Sequence, residues 1–233
     1  MQSGTNTALL IFSRQARAEA EVKSFVPTMG KKGNTSIAQK LIRKSISTAR
    51  KTRLPFFTCY DTAQHGDTFG ERMANAIEGI YAKGYQNVIV LGNDCPGMDH
   101  LDLLSVPNKL ESHPLVMGPA TDGGLYLIGM RQDSYQRQAF IDLPWETSQL
   151  QSGLIQYAET SSNAIFWLKV QQDIDNAADF NTLLTCLPGI DPLRQQFISI
   201  INSFQTVSRT TNTLGVFLKY LLYNGPLRAP PLA

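Results

Sequence analysis

The chain has 233 residues, 42% of them hydrophobic and 17% charged, enough for one large globular domain or one domain with an appendage. A net charge of +2 gives no global case for nucleic acid as a partner, and no apolar run nears the ~18 residues of a membrane-spanning helix. Three scattered cysteines, Cys59, Cys95 and Cys186, speak against a disulfide framework or a thiolate metal site. With the polar start Met1 to Thr7, they lead us to expect a soluble, cytoplasmic protein.

Ala8-Leu9-Leu10-Ile11-Phe12 reads as the first buried strand, followed by a polar loop from Ser13 to about Gly33. A loop of that length is usually functional. Asn34-Thr35-Ser36 offers N-cap chemistry for a helix carrying Ile37, Leu41, Ile42 and Ile46 on one face. Leu54 to Tyr60 supplies the second strand. After a polar loop from Asp61 to Phe69 comes a helix with Met73, Ile77, Ile80 and Tyr81 inward and Gly84 at the C-cap. Val88-Ile89-Val90-Leu91 is a continuous apolar run, hence a strand buried on both faces, and it ends on Gly92-Asn93-Asp94-Cys95-Pro96. Asp99 caps a short helix with Leu101, Leu103 and Leu104.

Leu115 to Gly118 and Leu125 to Met130 are the fourth and fifth strands. The link between them, Pro119 to Gly124, is too short for a parallel crossover, so they pair antiparallel or meet at a corner. Ile165 to Leu168 is a late strand among helices. This alternation predicts an α/β fold of three layers, α/β/α, around a mainly parallel sheet, over residues 1–188. Residues 189–233 form a helical extension, with Phe197, Ile198, Ile201 and Phe204 and then Leu214, Phe217, Leu218, Leu221 and Leu222 at helical spacing. Packing on the same domain is the expectation; a partner surface or an interfacial helix is the alternative.

The basic side chains cluster early. From Arg14 to Arg53 they include Lys23, Lys31, Lys32, Lys40, Arg43 and Lys44, against only Glu19 and Glu21. A solvated helix face is the ordinary explanation; an anionic ligand such as a nucleotide phosphate is the functional one. Neither a G-x-G-x-x-G nor a G-x-x-x-x-G-K-[ST] loop is present. A nucleotide site here must therefore use isolated basic groups, backbone amides and a carboxylate-held cation. Four segments suit it: Asn93-Asp94 at a strand end, Thr121-Asp122-Gly123-Gly124 in a turn, Gly66 to Met73 opening a helix, and Asp173-Ile174-Asp175. Taken singly, each is also an ordinary turn or N-cap.

Taken together and in order, these segments resemble a family of small bacterial transferases, the uncharacterised glycosyltransferase-like proteins of DUF2064 type. The residues that carry the likeness are Leu9-Leu10-Ile11-Phe12-Ser13-Arg14, Gly66 to Met73, Leu91 to Pro96, Gly118 to Gly129, Pro144-Trp145-Glu146-Thr147 and Asp173-Ile174-Asp175. The resemblance implies a nucleotide-diphospho-sugar transferase (GT-A-like) fold and a nucleotide bound over the N-terminal half by Arg14, Lys23, Gly70, Glu71, Arg72 and Asn93. It also implies Mg²⁺ or Mn²⁺ at Asp94 and Asp175, with Asp122 and Asp94 as the catalytic pair.

The reaction implied is metal-dependent glycosyl transfer from a nucleotide-diphospho-sugar to a small-molecule acceptor, with a homodimer left open. The alternatives are nucleotidyl transfer from an NTP, or a decayed nucleotide- or partner-binding protein. One departure motivates the last. The family loop reads Pro-Gly-x-Val-Lys-Thr-Arg-Leu, whereas here Glu19-Ala20-Glu21-Val22-Lys23-Ser24-Phe25-Val26 keeps the lysine and puts Phe25 at the arginine position.

Overall fold

The computed structural model describes residues 6–160 and 163–204. The chain runs β1 (Thr7–Ser13), α1 (Ala16–Val22), α2 (Gly30–Lys51), β2 (Phe56–Tyr60), α3 (Phe69–Tyr81) and β3 (Asn87–Leu91). It continues through α4 (His100–Ser112), β4 (Leu115–Pro119), β5 (Leu125–Arg131), α5 (Arg137–Ile141), α6 (Leu150–Thr160), β6 (Ile165–Trp167) and α7 (Ala177–Cys186). A last helix, α8, occupies 192–204.

The strands make one six-stranded sheet in the order β2-β1-β3-β5-β4-β6. β5 is antiparallel to both its neighbours; every other pair is parallel. The short β4–β5 link therefore does join antiparallel neighbours. Both faces of the sheet are covered, as the continuous apolar runs require. Side chains alternate along each strand. Ala8, Leu10 and Phe12 of β1 and Val88 and Val90 of β3 face a layer formed by α3, α5 and α6. Leu9 and Ile11, with Ile89 and Leu91, face Leu103, Val106 and Leu110 of α4 and Ala49 of α2. A third cluster joins Ile37 and Leu41 of α2 to Phe180 of α7 and Phe197 of α8.

Three local expectations are corrected. The segment after β1 is not one long loop but holds α1, and α2 begins at Gly30 rather than at an Asn34 cap. Asn34 sits inside α2 and reaches back: its Oδ1 accepts from the Phe25 and Val26 amides, and its Nδ2 donates to Val26 O and Gly30 O. The cap-type side chain is used to tie down the preceding loop, a non-local task that periodicity does not report. Ala82, not Gly84, is the C-cap of α3; Gly84 follows at φ +90°, its amide donating to Tyr81 O. The expected helical pattern through Leu214 and Leu222 lies outside the described residues. Asp99 caps α4 as read, accepting from the Leu101 amide.

The pairing registers put the ends of β1, β2, β3, β4 and β6 and the start of β5 at one edge of the sheet. The chain leaves β1 for β2 on one side and returns to β3 on the other. A topological switch point, where open α/β sheets form their ligand crevice, thus falls between β1 and β3.

Candidate functional site

Two adjoining clefts open at that edge, of about 370 Å³ and about 460 Å³. They share a wall that includes Arg14, Lys23, Phe69, Asp94 and Glu146. Each wall residue is held by ordinary local structure. Lys23 ends α1, its amide donating to Glu19 O; Asp94 follows β3, its carbonyl accepting from the Ile174 amide at 3.0 Å. That bond stitches the loop after β3 to the Asp173-Ile174-Asp175 segment. A parallel bridge between Ser24 and Asn176 adds the loop after α1 to the same bundle.

The ammonium of Lys23 is the hub. It lies 2.6 Å from Asp175 Oδ1, 3.0 Å from Glu19 Oε1 and 3.2 Å from Asp94 Oδ2. Burial alone would pull the Lys23 pKa down, but Asp94, Glu19 and Asp175 outweigh it and hold the ammonium protonated well above the usual lysine range. Lys23 was expected to face a nucleotide phosphate; here its charge is met by carboxylates. Arg14, at the edge of the same group, keeps 46% of its side chain exposed and stands 3.9 Å from Glu19.

Asp122, Asp173 and Asp175 bring carboxylate oxygens within 4.8 Å of one another. Ile174 is buried between the last two, so the extended segment sends both carboxylates to the opposite side. Asp173 accepts from Thr121 Oγ1 at 2.8 Å. Its own burial pushes its pKa up to about 6, opposed by the Thr121 hydroxyl and reinforced by Asp175 and Asp122. Burial also acts upward on Asp175, but the Lys23 hydrogen bond and charge win and hold it below the ordinary range. Asp122 sits in a tight turn, its Oδ1 accepting from the Gly124 amide at 2.7 Å, with Gly123 at φ +94°. A residue with a Cβ would strain that turn.

The two carboxylates expected from the sequence to hold a metal, Asp94 and Asp175, both pair with Lys23. Asp175 also stands with Asp122 and Asp173, a group to which Asp94 does not belong. Asp173 escaped selection although its motif had been singled out; its two-residue offset from Asp175 was the available signal. Glu19 and Glu146 were missed as well. Glu19 is buried beside Lys23, and Glu146 lines both clefts at φ +59°, a conformation rare for its type.

Arg72 and Asn93, the residues expected to bind a nucleotide, line the smaller cleft. Asn93 is 6% exposed, and its Nδ2 is buried without a hydrogen-bond partner among the described residues. Such orphaned donors are uncommon and call for an explanation. Gly70 and Glu71 are otherwise engaged. Glu71 completes a capping box with Thr68, its Oε2 accepting from the Asp67 and Thr68 amides. Gly70 packs where a Cβ would meet Ile141 O at 2.5 Å and the Trp145 ring at 2.8 Å. Phe25, standing at the family's arginine position, is 1% exposed in the core beside Phe180.

With this geometry in view, residues 37–147 match the model of a family described as an uncharacterised protein conserved in bacteria (DUF2064). The resemblance drawn from the motifs is borne out over that span. No curated protein matches the chain. Among solved structures, a protein from Desulfovibrio desulfuricans G20, provisionally named a nucleotide-diphospho-sugar transferase, aligns at TM-score 0.75 with 19% identity, over 88% of this chain and 98% of that one. Rv0371c from Mycobacterium tuberculosis H37Rv aligns at TM-score 0.50 with 11% identity, over 78% and 100%. A manganese complex of Rv0371c aligns at 0.44 with 10% identity, over 78% and 100%, too distant to bear on this chain's chemistry. The likeness establishes the fold, a nucleotide-diphospho-sugar transferase fold. No helix among the described residues is long and apolar enough to cross a membrane.

Proposed function

We propose that this chain is a transferase that binds a nucleotide in the paired clefts and holds a divalent cation at Asp122, Asp173 and Asp175. One observation carries the reading: four aspartates from three separated loops converge with Lys23 at the switch point of the sheet. Packing alone gives no reason to gather so much like charge. The donors fit the ion, since three carboxylate oxygens within 4.8 Å suit Mg²⁺ or Mn²⁺, which commonly bridge to substrate phosphates. Bound there, the cation would supply charge neutralisation for a leaving phosphate.

The other groups have tasks of their own. Arg14 and Arg72 flank the smaller cleft as phosphate donors, and Asn93 Nδ2 offers its unmet hydrogen bond to the nucleoside. Lys23 keeps Asp175 ionised and pairs with Asp94, holding both carboxylates in place. In glycosyl transfer Asp122 takes the acceptor hydroxyl's proton while the sugar–phosphate bond breaks and the nucleoside diphosphate leaves.

Nucleotidyl transfer from an NTP is the second reading, favoured by the presence of Arg14 and Arg72 on one cleft as two cations for a phosphate chain. A binding protein without catalysis is the third, favoured by burial of Phe25 where the family has an arginine. Thermal shift with UDP, GDP and CTP, with and without Mn²⁺, tests the site. The proposal requires at least one nucleotide to raise the melting temperature in a metal-dependent way, and Asp122→Asn to reduce the effect. Assays of sugar transfer and of pyrophosphate release on the responding nucleotide then separate the readings. No response to any nucleotide with metal would refute the site.

A further inference from the structure

Most carboxylates that line the paired clefts are already engaged. Lys23 pairs with Glu19, Asp94 and Asp175. Asp61 accepts from the Gln15 amide at 2.7 Å, Asp122 from the Gly124 amide at 2.7 Å and Asp173 from the Thr121 hydroxyl at 2.8 Å. Glu146 is the exception. It lines both clefts, and its carboxylate has neither an ion pair nor a hydrogen bond among the described residues.

The turn around Glu146 is fixed on both sides. Trp145 Nε1 donates to Phe140 O at 2.8 Å and the Trp145 amide to Leu143 O at 2.7 Å; the ring stands 4.9 Å from Phe140 and 5.4 Å from Phe69. On the other side Thr147 Oγ1 donates to Pro144 O at 2.7 Å and accepts from the Gln149 amide at 3.2 Å. Between these tied residues Glu146 takes φ +59°. Glycine or asparagine would meet such a turn at less cost than a long side chain. Strain of this kind persists where its surroundings over-determine it, and it gathers at ligand sites.

The neighbours give the ligand's chemistry. A carboxylate only accepts hydrogen bonds, so the group it meets must donate. Trp145 and Ser148 line the larger cleft beside Glu146. An aromatic ring next to hydrogen-bonding oxygens suits a sugar, which has apolar C–H faces and a rim of hydroxyls. Arg72 lies on the smaller cleft and Asp122 on the larger. Glu146, on the wall of both, stands where a sugar joined to nucleotide phosphates would pass from one to the other. An anionic group there would face an unpaired carboxylate and be repelled.

We propose that Glu146 is a sugar-selecting residue: its carboxylate accepts from hydroxyls of an uncharged sugar carried on the nucleotide, beside the Trp145 ring. The inference rests on the reading of the paired clefts as a nucleotide site, and adds to it the class of group carried there.

Isothermal titration in Mn²⁺ tests it, with UDP-glucose and UDP-galactose against UDP, and GDP-mannose against GDP. For the nucleotide that binds, a sugar is expected to tighten binding about tenfold, the scale of one hydrogen bond to a charged group. Glu146→Gly removes the carboxylate and accepts the left-handed turn without strain. That variant should melt no lower than the parent, keep its affinity for the diphosphate within about twofold, and lose the gain from the sugar. Glu146→Gln keeps one acceptor oxygen and should retain part of the gain. The proposal is overturned by a gain that survives in both variants, or by absence of any gain in the parent while the diphosphate binds; either leaves the nucleotide reading standing. Equal loss of diphosphate and diphospho-sugar binding in the Gly variant would make Glu146 a structural residue and overturn it too. If no diphosphate binds the parent, both readings fall together.

Discussion

The ammonium of Lys23 lies 2.6 Å from Asp175, joining the end of α1 to a segment that follows the last strand of the sheet. With Glu19 and Asp94 also within 3.2 Å, one cation holds together carboxylates from three elements. Only 12% of its side chain is exposed, against 31% for Asp94 and 42% for Asp175, so this is an ion-pair hub at the floor of a cleft rather than a surface bridge.

Removing the cation should therefore cost the fold. Lys23→Met keeps the apolar stem but leaves three carboxylates facing one another. The expected loss is about 3 kcal/mol, the low end for breaking a buried pair, because two partners reach solvent. Because Lys23 depresses Asp175, that part of the stability is present above the unfolded carboxylate value of ~4 and lost as pH falls through the lower native value. Urea melts of both proteins should thus converge on acidification. Mg²⁺ should rescue the variant more than the parent; equal response to Mg²⁺ would count against a shared electrostatic site.

Asp173 gives the opposite pH signature. Its native pKa of about 6 lies above the ordinary aspartate value of 3.8, so ionising it opposes folding as pH rises through 6. Asp173→Asn keeps an acceptor for Thr121 and removes the charge. In EDTA the variant should be more stable than the parent at pH 8 by about 1–2 kcal/mol, and indistinguishable near pH 4. Melting temperature against pH for the two proteins measures it, and a pH-independent difference would contradict the assignment.

The same substitution should harm metal binding, as should Asp122→Asn and Asp175→Asn. Loss of one carboxylate of three is expected to weaken Mn²⁺ affinity by about 10–100-fold, the scale seen when even outer-shell partners of a metal site are removed. Asp94→Asn should weaken it less, because Asp94 stands outside the three-aspartate group, although Lys23 pairs with Asp94 and Asp175 alike. Isothermal titration with Mn²⁺ on the four variants ranks them; a larger effect at Asp94 than at Asp122 would move the metal centre.

Gly70→Ala separates packing from binding. The added methyl would meet Ile141 O and Trp145 at under 3 Å, so a loss of about 1–3 kcal/mol from overpacking is expected with nucleotide response retained. Chemical denaturation alongside the thermal-shift assay reads both. Loss of nucleotide response without loss of stability would restore Gly70 to the ligand.

The strands were legible because each is a short apolar run ended by turn residues, and burial on both faces leaves little else such a run can do. The antiparallel β4–β5 pair followed from a link too short to cross over. The helix cap at Asp99 followed from local chemistry. Asn34 shows where this stops. Its composition reads as a helix start, but its amide bonds four backbone groups of a loop that the fold brings back to it. Glu71, drawn into the site by its place in a motif, is spent on a capping box at its own helix start.

By itself, the order of residues determined the alternating architecture, the two-sided burial of β1 and β3, and the emergence of Asp94, Asp122 and Asp175 at loop positions. Periodicity and turn chemistry act over a few residues and are written along the chain. Which carboxylates meet, and which cation they meet, was decided only by the tertiary structure. The β3 loop is bonded to the segment after β6 through Ile174 and Asp94, and α1 ends where Lys23 reaches both. Electrostatic partners are chosen by distance in space, and sequence separation carries almost no information about that.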